Sequence, residues 1–102
     1  MFDAPAADPP PAISAQQQSD LDCLSVSEAL LAATRSTGPN PQANRMIHAY
    51  LFRLQRSDDA RDWMSLVTPP DQMAYGWYLA HLQDCRRPFR PYVRAVRPFA
   101  AP

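Results

Sequence analysis

Lysine is absent from this sequence, and glutamate occurs once, as Glu28. All ten basic residues are arginine and nine of the ten acids are aspartate, so the formal charge cancels to +0. A cancelled charge provides no whole-chain field to steer the molecule onto polyanions. Glycine is nearly as scarce, with two residues in 102. Two isolated glycines build neither of the Gly-rich phosphate-binding loops, and no cofactor is expected. No apolar run approaches the ~20 residues that a membrane helix needs. Met1-Phe2-Asp3 lacks a basic start and no hydrophobic region follows, so the chain reads as carrying no signal peptide. Ile13 to Gln18 nevertheless looks like the junction that follows a cleavage site.

Proline is the residue in excess. Most of the twelve lie at the two ends, so the foldable part is shorter than the chain. Residues 1–18 read as a flexible arm, 19–87 as a helical domain and 88–102 as a basic, Pro- and aromatic-rich tail. A core of that size is marginal without a staple.

The fold class is all-α, a compact bundle of about four short helices. The first is expected from about Asp20 to Arg35, with Ser19/Asp22 and Ser25/Glu28 as competing capping boxes. Cys23, Val26, Leu30 and Ala33 share a face at helical spacing, flanked by Leu24 and Leu31. The second starts at Asn40-Pro41, a good N-cap followed by proline at the first helical position. Ala43, Ile47, Tyr50, Leu51 and Leu54 fit one face, and Met46 and Phe52 widen it, so this helix is expected to be the most buried. The third, about Asp58 to Val67, has Ser57 as its cap and Ala60, Trp63, Met64 and Val67 as its apolar side. The fourth starts with Thr68 as cap and Pro69 at its first position and runs to about Arg86. Met73, Ala74, Trp77, Tyr78, His81, Leu82 and Cys85 are its inner half.

Cys23 in the first helix and Cys85 in the last both project from apolar faces. They are either the staple, in an oxidising compartment, or two buried free thiols in a cytoplasmic core. A disulfide closing that loop is worth about 4 kcal/mol in the loop-entropy description. Cys23, His48, His81 and Cys85 also total the thiols and imidazoles of a zinc set, yet their spacings match no zinc knuckle. His81 and Cys85, one turn apart, have the composition of a thiolate–imidazole pair, but no Gly-rich turn supplies an oxyanion hole. The acid pairs Asp20/Asp22 and Asp58/Asp59 fall in first turns, where capping and the helix dipole account for them.

The tail is the most promising functional feature. Arg86, Arg87, Arg90, Arg94 and Arg97 stand without one acid, interleaved with Phe89, Tyr92 and Phe99. Residues 86–102 are therefore +5 and the remainder −5. Such a segment docks on an acidic protein or an anionic membrane surface, folds back on its own acidic body, or binds nucleic acid through phosphates and stacking. The leading expectation is a non-enzymatic interaction module that binds a protein partner through an apolar groove or through this tail. A cytoplasmic nucleic-acid-binding or regulatory factor, and a thiol or zinc enzyme using Cys85 and His81, are the alternatives.

Asp20-Leu21-Asp22-Cys23-Leu24, then His48-Ala49-Tyr50-Leu51-Phe52-Arg53-Leu54, Asp62-Trp63-Met64 and a late Cys85 resemble small exported helical two-cysteine proteins of alphaproteobacteria. The resemblance spans about Asp20 to Cys85. It implies an exported, periplasmic four-helix domain with a Cys23–Cys85 disulfide, and it carries over no catalytic residue. The plan is also similar to that of periplasmic acid-stress chaperones, in its short helices, single disulfide and flexible ends.

Overall fold

The structure, a computed structural model, describes residues 12–89. The expectations for residues 1–11, and for Arg90, Tyr92, Arg94, Arg97 and Phe99, lie outside the described residues. Among the described residues every regular element is helical, as the pattern predicts, and no helix is long and apolar enough to cross a membrane.

Helix α1 (Ala15–Ala33) opens at Ser14 rather than at the expected Ser19 or Ser25. The Ser14 hydroxyl accepts from the Gln17 amide at 3.0 Å, and the Gln17 side chain accepts from the Ser14 amide at 2.9 Å. Two N–H groups that helix geometry leaves without partners are thereby satisfied. The glutamines add further support one turn on: Gln16 donates to Asp20 at 3.1 Å and Gln18 to Asp22 at 2.8 Å. The helix thus takes in residues assigned from sequence to the flexible arm.

Thr34 ends α1, and the 3-10 turn Arg35–Thr37 leads to Gly38. Gly38 has φ 111° and ψ −168°, a region that a side chain all but forbids. Asn40 then caps helix α2 (Pro41–Ser57), its side chain accepting from the Ala43 amide at 3.0 Å. Ala43, Met46, Tyr50 and Leu54 form one buried stripe. Met46 is buried in this face as expected, whereas Phe52 is 58% exposed, under the Arg56 guanidinium at 5.6 Å, and does not widen it.

The expected third α-helix is a turn and a short 3-10 segment, Trp63–Leu66. Ser57 belongs to α2, and its hydroxyl donates to the Leu54 carbonyl. The Asp58 side chain accepts from the Ala60 amide at 3.2 Å, closing a local turn that competes with a helix. The Asp58 carbonyl accepts from Trp63 Nε1 at 2.9 Å, which brings the buried indole onto the core.

The fourth element also starts late. Pro69 is extended (ψ 147°), as a residue before proline must be, and Pro70–Gln72 is a separate 3-10 turn. The Thr68 amide is taken by the Ser25 hydroxyl at 3.0 Å. Helix α3 therefore begins only at Tyr75 and runs to Arg86, followed by the turn Arg87–Phe89. Of its predicted inner half only Cys85 is fully buried; Met73, Trp77, Tyr78, His81 and Leu82 are partly covered and Ala74 is exposed.

Helix α1 lies between α2 and α3 and is the most buried of the three, in place of α2. Leu24, Ser25, Val26 and Ser27 are buried in succession because a neighbour packs on each side. The Ser27 hydroxyl donates to the Cys23 carbonyl at 2.6 Å, so its burial leaves no polar atom without a partner.

Candidate functional site

Cys23 of α1 and Cys85 of α3 are joined by a disulfide, with 5.2 Å between their Cα atoms. The bridge ties the middle of the central helix to the end of the last, 62 residues apart in sequence. Cys85 is buried and Cys23 half-buried. Neither sulfur is free, so in this form neither acts as nucleophile or thiolate ligand. The zinc set and the Cys85–His81 pair inferred from sequence both need a thiolate, and both fail on that point. His81 has a different use. Its Nδ1 lies 2.8 Å from the Trp77 carbonyl, which can only accept, so Nδ1 carries the proton. The two rings stack at 4.1 Å.

Tyr50 of α2 reaches the same end of the molecule. Its hydroxyl donates to the Cys85 carbonyl at 2.7 Å, and its ring meets Phe89 edge-on at 5.8 Å. Burial pushes the Tyr50 hydroxyl above its ordinary pKa of 10.0; the Arg53 guanidinium opposes this and the Asp20 carboxylate adds to it. Arg53 also forms an ion pair at 3.3 Å with Asp20, a carboxylate whose residue is only 6% exposed.

Of the tail residues within the described region, Phe89 packs on Tyr50 and both arginines are engaged. Arg86 donates to the Gln42 side chain at 3.0 Å, and Arg87 pairs with Asp84 at 2.8 Å. The second of these is a surface pair of small energetic weight. The Arg86–Gln42 and Phe89–Tyr50 contacts hold the beginning of the tail against α2.

At the opposite end of α3 the fold leaves an open apolar groove of about 390 Å³. Ala29 and Ala32 of α1 form one side, Tyr75 and Tyr78 of α3 the other, and Pro70 and Met73 close the end, with Asp71 beside them. The Tyr75 and Tyr78 rings lie 6.3 Å apart and within 25° of parallel. Tyr75 is 71% exposed, and Leu79 one turn later is exposed as well. An apolar groove is expected from sequence, but its place and its lining residues are not. One signal for it is there: no charged residue occurs from Gln72 to Gln83, in a chain where one residue in five is charged. A helix that is apolar around its circumference is covered on every side in a large domain. Here α1 covers one side only.

No protein-family model matches this chain, and neither the curated proteins nor the solved structures yield a match.

Proposed function

We propose that this chain is a non-enzymatic protein-binding module of an oxidising compartment, the periplasm, and that it engages an apolar segment of a partner at the α1–α3 groove, with the arginine-rich tail as an accessory surface. The observation that carries this reading is a covalently fixed pair of helices with an uncovered apolar face between them. The Cys23–Cys85 bridge restrains α3 against α1 at one end, and the groove lies at the other. A preformed groove loses little entropy on binding, and its lining of alanine, proline, methionine and tyrosine offers apolar area with Asp71 as the one charged lining residue.

The disulfide supports the compartment, because cytosolic thiols are held reduced. The resemblance to exported two-cysteine helical proteins points the same way. A binding role is favoured over catalysis by what the reactive groups are doing: Cys85 is in the bridge and the His81 Nδ1 proton is held by a backbone carbonyl.

The test is a photo-reactive phenylalanine analogue placed at position 75 of the full chain in its native host, with position 45 on the outer face of α2 as control. A discrete protein adduct from position 75 and none from position 45 is expected. No adduct from position 75 or from position 32 across the groove would overturn the reading.

A further inference from the structure

The groove has the complement of one segment of this chain. None of its lining residues is basic, and Asp71 sits at its rim. The near-parallel Tyr75 and Tyr78 rings form the kind of flat aromatic surface on which proline rings of an extended segment pack. Residues 90–102 carry Arg90, Arg94 and Arg97 and no acid, together with Pro91, Pro98, Tyr92 and Phe99.

Two other placements are disfavoured by charge. The outer side of α2 carries Arg45 and Arg56, and α2 holds no acid at all, so it repels this segment. The other terminal segment, residues 1–11, carries Asp3 and Asp8 and no base, the same sign as the groove rim. It also joins the fold at the far end of α1, about 28 Å from Ala33 at helical rise.

The distance can be spanned. Phe89 is fixed against Tyr50. From there back to Tyr78 is about 12 Å along α3 and about 6 Å through the Arg87–Phe89 turn. The thirteen residues 90–102 reach about 40 Å when extended. The return uses less than half of that, and the Pro98-Phe99 end is left to lie along the groove.

We propose that residues 90–102 fold back along α3 and occupy the α1–α3 groove, so that the chain carries its own ligand and a partner enters by displacing it. The proposal rests on the reading of this groove as the binding site. It also defines the class of competitor, an extended basic segment bearing proline and aromatic residues. A tether of this length presents the segment at an effective concentration on the order of millimolar. A partner therefore binds the native chain more weakly than it binds an emptied groove.

The test uses the full chain. Isotope-labelled protein is examined for nuclear Overhauser contacts between the Tyr92 and Phe99 rings and the Ala29 and Ala32 methyls. A synthetic peptide of residues 88–102 is then titrated into the native chain and into a full-length Pro91→Gly/Pro98→Gly/Phe99→Ser variant. Contacts in the native protein are expected, with peptide binding to the variant at least about tenfold tighter than to the native chain. Asp71→Arg is expected to weaken that peptide binding. Absent contacts, or equal peptide affinity for the two chains, would overturn the proposal. So would contacts that vanish on dilution, which place the tail in the groove of a second copy. An adduct from position 75 that forms equally in the triple variant leaves the binding-module reading standing while the tail proposal falls. A docked tail with no adduct does the reverse.

Discussion

The Tyr50 hydroxyl, carried by α2, donates a 2.7 Å hydrogen bond to the backbone carbonyl of Cys85 in the last turn of α3. That carbonyl is one of the four that a helix C-terminus leaves without an intrahelical partner. The bond therefore satisfies a buried acceptor and joins α2 to the residue that anchors the disulfide. Helices α2 and α3 are otherwise held together chiefly through α1, against which both pack.

Tyr50→Phe keeps the ring against Phe89 and removes only the donor. The carbonyl is then buried and unpaired, which costs about 1–3 kcal/mol. Urea unfolding is expected to show a lower midpoint with an unchanged slope. A midpoint equal to that of the native chain would mean that water reaches the carbonyl.

The same hydroxyl sets an alkaline limit. Burial raises its pKa above the ordinary 10.0, and Tyr78 is raised by burial too. A folded-state pKa above the unfolded value means that the associated stability is fully present below pH 10.0 and is lost as pH rises through the folded value. Unfolding free energy is expected to fall above about pH 10, more steeply in the native chain than in Tyr50→Phe. Equal slopes in the two proteins would contradict this.

Asp20 is buried beside Arg53, whose side chain is half in water. Solvent screening keeps the pair to about 1 kcal/mol, well below the loss on breaking a fully buried pair. Arg53→Met leaves the carboxylate with the Gln16 amide as its other side-chain donor. Adding Asp20→Asn to Arg53→Met should recover part of the loss, because the uncompensated charge goes with it. A double-mutant cycle showing simple additivity would contradict that coupling.

Reduction is expected to be the largest single perturbation. Opening the 62-residue loop costs about 4 kcal/mol in the chain-entropy description. The urea midpoint measured with and without reductant reads this directly. A midpoint insensitive to reductant would mean that the core alone holds the fold.

Much of the fold is legible in the sequence where local signals are unopposed. Asn40-Pro41 and the stripe Ala43, Met46, Tyr50 and Leu54 specify α2 because cap, proline and period agree. The start of α1 is obscured because three serines compete, and the one that caps, Ser14, sits before a run of glutamines with no apolar period. Ser25 has the pattern of a cap, yet it is buried and serves Thr68, 43 residues away, a contact no local pattern reveals. Pro69-Pro70 resembles a helix start and instead delays one, because the residue before the second proline is forced into extended backbone. At the candidate site, the two cysteines were legible from their apolar faces and their places in the first and last helices. The place of the groove was not, because it depends on the angle at which the N-terminal half of α3 meets α1.

The central claim is a domain closed by Cys23–Cys85 and working where disulfides persist. Its most direct test is the redox state of those two residues in protein taken from its native host, with thiols alkylated before lysis and the intact mass measured with and without reductant. A bonded pair is expected, with no label before reduction and two labels after it. Two labels before reduction would contradict the staple, the compartment and the binding-module reading together.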